Sequence, residues 1–185
     1  MSNAAYVTTG KRRTAGGIYR APAGTALPTD ATTALPAAFV NLGYVSEDGV
    51  TNSISSDSTE IKEWGGDTVD TVKTNQSDTF KFKLIEAMNI DTLKTVFGDG
   101  NVSEANGAIS VDVKAADSDA AVYVVDIAFK GGRLKRIVIP SGKITELGDI
   151  VYKTDEAVGY DLTIQAALGA DGATHHEYIS APSAA

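Results

Sequence analysis

The chain has 185 residues, 43% of them hydrophobic, and a formal charge of −8, a length that buries a real core within one domain. Its lack of cysteine removes disulfides, thiolate metal centres and cysteine nucleophiles together. No apolar run reaches the length of a bilayer span, and no charged start leads through an apolar segment to a small-residue cleavage site, so neither membrane insertion nor secretory export is expected, and folding is expected in a cytoplasm.

The charge is unevenly divided. Residues 1–38 carry Lys11, Arg12, Arg13 and Arg20 against Asp30, a balance of +3, whereas the remainder holds 12 basic and 23 acidic side chains, a balance of −11. A basic segment on an acidic body can steer copies of the chain together, and salt weakens such an attraction; the alternative is a solvated tail. Pro22, Pro28 and Pro36 break helices and central strands. Residues 1–38 are therefore expected as an extended N-terminal arm, with a turn at Gly16-Gly17 and a short edge strand at Ile18-Tyr19. The core domain is expected over 39–180, with a frayed terminus at 181–185.

Residues 42–72 read as strands and turns. Asp48-Gly49, the serine-rich run 55–58 and Gly65-Gly66 separate short alternating pieces, which predicts a long polar hairpin over about 44–75. Strand alternation over 59–64 puts Glu60, Lys62 and Trp64 on one face and Thr59, Ile61 and Glu63 on the other. Neither face resembles a core. A two-stranded ribbon that is polar on both faces is marginal in water, and its edges carry unpaired backbone groups, so the excursion is expected to serve assembly. Trp64 is its candidate anchor, because tryptophan is enriched where interfaces carry most of their energy; the alternative is a Trp64 folded back onto its own domain.

Residues 67–74 and 79–86 read as strands, the second with Phe80, Phe82 and Leu84 alternating against Lys81, Lys83 and Ile85. One good helix candidate follows over 89–97. Asn89 can cap it, Asp91 suits the positive end of its dipole, and Gly98 can end it in the left-handed conformation. Ile90, Leu93, Val96 and Phe97 share one face at helical spacing, and that face should close one side of a β core. Ile109, Val111 and Val113 mark a further strand, and 122–129 another.

Gly131-Gly132 is expected as a two-residue hairpin loop joining 122–129 to 133–139. On that register Phe129 pairs with Leu134, Ile127 with Arg136 and Val125 with Val138. Arg136 is then the exception on an apolar face, either solvated at a strand end or meeting a carboxylate of another subunit. Lys130, Arg133 and Lys135 gather on the opposite face, where DNA contact is disfavoured by the acidic body. Residues 144–152 are expected to cross the sheet to a last strand, in which Tyr160, Leu162, Ile164 and Ala166 alternate. Residues 175–179 form a short edge strand.

Catalytic and cofactor chemistry has little foothold. His175 and His176 are adjacent, so on a strand they face opposite ways and do not share a metal. Asp117-Ser118-Asp119 and Asp99-Gly100-Asn101 lack the further oxygen ligands of a calcium loop. No phosphate-cradling loop, dinucleotide fingerprint or nucleophile elbow is present, and nothing selects a catalytic pair from the 24 acidic residues. No metal, no cofactor and no enzymatic activity are expected.

The colinear set LGYVSEDGV, TEIKEWGGD, FKFKLIEAMN with LKTVFGDGNV, LKRIVIPSGKITELGDIVY and YDLTIQA, spanning roughly 39–180, resembles the major tail protein (tail tube protein) of long-tailed bacteriophages, particularly those of actinobacteria. The resemblance implies a mainly β domain, a sandwich or partly closed barrel with one flanking helix, the long hairpin loop and the N-terminal arm. It implies a virion structural protein that forms rings, usually six-fold, which stack into the tail tube through which DNA passes to the host. Its implied partners are copies of itself and the tail initiator, tape measure and terminator proteins. Subunit-interface candidates are Lys11, Arg12, Arg13, Trp64 and Arg136. Lumen-facing candidates are Glu60, Glu63 and Asp70, since a carboxylate lining repels phosphate. The alternatives are the tube protein of a contractile tail and, from another class, a monomeric β-sandwich binding or decoration module of a virion or cell surface, for which Trp64 and scattered tyrosines make a thin aromatic platform.

Overall fold

The computed structural model describes residues 2, 6–13, 17–114 and 118–182. Gly16 of the turn expected at Gly16-Gly17, the Asp117 end of Asp117-Ser118-Asp119 and the last three residues of the frayed terminus lie outside the described residues.

The fold is mainly β. In chain order the strands are β1 (Gly10–Arg12), β2 (Ile18–Pro22), β3 (Val40–Asn41), β4 (Val45–Lys62) and β5 (Thr68–Leu84). Helix α1 (Ile90–Phe97) follows, then β6 (Val102–Ala105), β7 (Ala108–Val111), β8 (Ala121–Phe129), β9 (Leu134–Leu147), β10 (Tyr160–Ala166) and β11 (His176–Ile179). Among the described residues nine strands form one sheet in the order β3-β2-β8-β9-β10-β5-β4, with β1 beside β8 and β11 beside β9, and β6-β7 make a separate ribbon. The order has two ends, so the sheet is not a closed barrel.

Strands β8 and β9 sit at its centre and are covered on both faces, which explains their nearly continuous apolar sequence. On one face Tyr123 and Val125 of β8 and Ile137 and Ile139 of β9 join Phe80, Phe82, Leu84, Leu162 and Ile164 in the main core, with Val96 of α1 packed against it. On the other, Val122, Val124 and Val138 lie under Leu35 and Phe39. Burying each such side chain contributes about 1.5–3 kcal/mol. The chain between β2 and β3 is thus a strap across the sheet. Part of the expected arm is built into the domain, because Ile18 is 1% exposed and Ala21 and Ala31 are also buried; β2 lies between β3 and β8.

Helix α1 forms as its sequence dictates. The Asn89 side chain accepts from the Asp91 and Thr92 amides, and Leu93 faces Val102 and Tyr160 with Ile90, Val96 and Phe97 around them. Its stop differs from the expected one, for Gly98 takes φ 95° with ψ 143°, outside the left-handed helical basin.

Three expectations are corrected. The β8–β9 loop has three residues, with the Phe129 amide donating to the Arg133 carbonyl at 2.8 Å, since Gly131 (φ 87°) and Gly132 (φ 79°) draw Lys130 into the turn with them. The register moves by one, pairing Ala128 with Leu134, Ile127 with Lys135 and Asp126 with Arg136, and a one-residue slip changes which side chains meet. Residues 144–147 do not cross the sheet, because they continue β9 and pair with β10 through Leu147 and Leu162. Residues 67–74 and 79–86 belong largely to one long strand, β5, whose pairing with β4 is interrupted by irregularities at Asp57/Ser58 and Ile61/Lys62.

Candidate functional site

The feature that leaves the body is the β4–β5 hairpin. Pairing runs from Val45 and Leu84 to Lys62 and Thr68, yet β10 supports β5 only as far as Thr79. Beyond that point the ribbon is alone, and every residue from 51 to 76 is exposed. At ~3.3 Å per residue the projecting part is ~40 Å long. Strand β4 ends the strand order, so among the described residues its outer edge has no strand partner. Ile54, Ile61, Val69 and Val72 are exposed along the ribbon.

The tip is a turn over residues 63–67, closed by the Glu63 amide on the Asp67 carbonyl and the Gly66 amide on the Glu63 carbonyl, both 2.9 Å. Trp64 therefore sits in the turn, not on the strand face with Glu60 and Lys62, and is 104% exposed. Its ring is not folded back onto the body. The Glu63 carboxylate accepts the Gly65 amide at 2.9 Å.

Pairing separates the other two acidic candidates. Glu60 lies opposite Thr71 and Ile61 opposite Asp70, and neighbouring residues of a strand face opposite ways, so Glu60 and Asp70 occupy different faces. Glu60 is held by the Thr68 hydroxyl at 3.1 Å and lies 3.4 Å from the Lys62 ammonium. The Asp70 face also carries Asp57, Thr59 and Val72. The Glu60 face carries Lys62 and Lys73, so its one carboxylate is outnumbered by two cations.

The root of the hairpin holds a polar cluster that the sequence reading missed. Asp78, 1% exposed, accepts from Asn52 Nδ2 at 2.7 Å and Thr174 Oγ1 at 2.6 Å and lies 2.5 Å from His175 Nδ1. Gln165 Nε2 donates to the Asp78 carbonyl at 3.2 Å, and the Ser77 hydroxyl donates to Gln165 Oε1 at 3.2 Å. The His175 ring meets Phe80 edge-on, with centroids 5.2 Å apart. The signal was its phase, since Asp78 falls in step with Phe80, Phe82 and Leu84 and so faces the core. Just past the end of β5, Glu86 accepts the Tyr44 amide at 2.8 Å and the Asn89 amide side chain at 2.9 Å.

The basic candidates divide. Lys11 is exposed on β1. Arg12 is also exposed, and its guanidinium lies 4.6 Å from the centroid of the Tyr44 ring, within cation–π range. Arg13 turns inward, donating to the Ala31 carbonyl at 2.9 Å and lying 3.6 Å from Asp126. Arg136 is 1% exposed and binds both Asp126 oxygens, at 2.7 and 2.8 Å, as well as the Asp30 and Thr33 carbonyls. Its carboxylate belongs to its own chain, which corrects both expected alternatives: the shifted register puts Asp126 beside it and the strap covers the pair. On the other face of the sheet, where Arg20 is paired with Tyr123, Arg20 holds Asp99 below the usual carboxylate range, chiefly by hydrogen bonding, and burial pushes the Tyr123 phenol up to about 12.

Among the described residues no group of three His, Asp or Glu side chains could hold a metal ion, and the two histidines serve different carboxylates, His176 lying 3.1 Å from Asp171. Among the described residues no helix is long and apolar enough to cross a membrane. What the arrangement offers is surface: a long ribbon with a free edge, an aromatic tip and one acidic face. A family model described as "Phage tail tube protein" matches residues 3–185. Comparison with curated proteins gives no match.

Proposed function

The chain belongs to the phage tail tube protein family, a structural component of the virion tail, and from that premise we propose that its copies close into rings, six-fold as is usual in the family, that stack into the tube. The observation that carries this reading is the free outer edge of β4 together with the exposed run 51–76. An unpaired edge of that length invites another strand, and ring closure leaves none open. The neighbouring copy supplies the partner, while Trp64 and the basic face of β1, with Lys11 and Arg12, reach the next subunit or ring. A tail initiator and a terminator join the ends of the tube, and a tape measure protein occupies it before DNA does.

Only one ribbon face can line the lumen. The Asp57 and Asp70 face is the better fit, for it bears two carboxylates without a cation, whereas Glu60 is outnumbered by Lys62 and Lys73. Carboxylates toward the bore repel phosphates, so DNA slides without sticking. The monomeric decoration reading has Trp64 as the sole aromatic residue of the run 51–76, and one ring at a tip does not make a platform.

Negative-stain microscopy of concentrated protein tests the proposal, with rings or tubes expected. A protein that stays monomeric even beside a tail initiator refutes it. Replacing Asp57 and Asp70 by lysine should preserve tubes and make them retain DNA at low salt; tubes that still bind no DNA would remove this face from the lumen.

A further inference from the structure

We infer that Asp78, Thr174 and His175 form a latch by which the C-terminal segment sets the direction of the hairpin, an inference that rests on the reading of the hairpin as the ring contact. The ladder from β10 stops at the pair Gln165 and Thr79. Asp78 is therefore the first residue of β5 past the support of the body, and it is also the last buried residue before the exposed run. A two-stranded ribbon is marginal on its own and its strand support from the body ends at its root, so the contacts at Asp78 set the direction in which it leaves.

The donors converge from remote parts of the chain. Asn52 comes from β4, Thr174 and His175 from the segment leading into β11. That segment is itself tied down, since β11 pairs with β9 from His176 opposite Val138 to Ile179 opposite Lys135, and the Ser180 amide donates to the Leu134 carbonyl at 2.8 Å. The remaining charged neighbour of the His175 ring is Glu177, 3.9 Å from Nε2. A buried carboxylate with these side-chain donors is costly to disturb, because any donor removed leaves charge uncompensated.

Geometry makes the latch consequential. With a lever of ~40 Å, a swing of ~10° at the root moves the tip by ~7 Å, more than the ~4.8 Å spacing between paired strands. A hairpin loose at Asp78 cannot present its edge in register to a neighbour.

Trp64 is the only tryptophan and sits at the tip, so time-resolved fluorescence anisotropy of the soluble full-length subunit reads the motion directly. In Thr174→Val/His175→Ala the amplitude of the fast component should rise at least twofold. His175→Asn, which keeps a donor near the Nδ1 position, should restore most of the rigidity, and His176→Ala should behave as wild type. Hydrogen exchange in β8 and β9 verifies that the body is folded. Thr174→Val alone, which removes one hydroxyl, should loosen the tip to a smaller extent and guards against misfolding of the double variant. Wild-type amplitude in both latch variants overturns the inference, as does equal loosening by His176→Ala. A loosened tip with slower tube formation supports it. A loosened tip with unchanged tubes also sustains the latch, and sinks instead the use of the hairpin as the ring contact.

Discussion

Replacing Arg136 by methionine should cost the subunit about 3 kcal/mol. The guanidinium is the centre of a buried knot, with two bonds to Asp126 and two to strap carbonyls. Methionine keeps much of the volume but leaves the Asp126 carboxylate under the strap, and stranding one member of a buried pair costs ~3–5 kcal/mol. Arg13, at 3.6 Å and 27% exposed, stays to compensate in part, which selects the lower figure. With an unfolding entropy of ~2.1 cal/mol/K for each of 185 residues, the loss lowers Tm by ~8 °C. Calorimetry checks the magnitude, and hydrogen exchange should show residues 30–39 opening first. Arg136→Met/Asp126→Leu removes both charges and should melt above the single variant, since an apolar pair of similar volume is often neutral or better. A drop of under ~3 °C in the single variant, or a double variant melting below it, refutes the reasoning.

Other expectations follow from local geometry. Asp30 is held well below its ordinary pKa of 3.8 by the Thr33 hydroxyl foremost and then by the Thr33 and Thr32 amides. A depressed carboxylate contributes stability that is complete above its unfolded pKa and lost as pH falls through the folded value. The Tm gap between wild type and Asp30→Ala should therefore be constant down to about pH 4 and narrow below it; a gap unchanged at about pH 2 contradicts this. Gly43 has φ +80°, and a Cβ there would lie 2.3 Å from the Glu86 carboxyl carbon. Gly43→Ala should cost about 2–4 kcal/mol in strain and displaced Glu86 hydrogen bonds, read by urea unfolding, and a cost below about 1 kcal/mol argues against the close approach. Replacing Lys11 and Arg12 by glutamate should leave Tm within ~2 °C, because both are exposed on β1, and should shorten tubes in the microscope at moderate salt, because these two cations are the part of β1 proposed to reach the next copy. Unchanged tube length and yield remove them from stacking; a deletion through residue 20 would instead cut β2 itself.

Much of the framework was legible in the chain. Tyr160, Leu162, Ile164 and Ala166 alternate because one face of β10 meets the core, and Asn89 announced α1 because its cap is local. Where both faces are covered the pattern fails. The runs VYVVDI and RIVI are apolar at odd and even positions alike, so alternation cannot detect a slip of one residue, and the glycine pair alone does not decide between loops of two and three. No helix forms over 22–36, where Pro22, Pro28 and Pro36 stand, yet the course of the strap depends on Arg136 and Arg13 capturing its carbonyls, with Arg136 more than a hundred residues away. Asp78 was hidden for the same reason, since two of its partners lie 96 and 97 positions on.

The solitude of residues 51–76 has a bearing on how this molecule tolerates change. Beyond Asn52, whose side chain donates to the buried Asp78, a substitution that preserves the two-stranded ladder alters nothing the lone subunit buries, so its melting curve stays where it was. Screens for thermostability are blind along that length. Harm or benefit surfaces only once molecules meet, which leaves the sequence of this ribbon answerable to its neighbours alone.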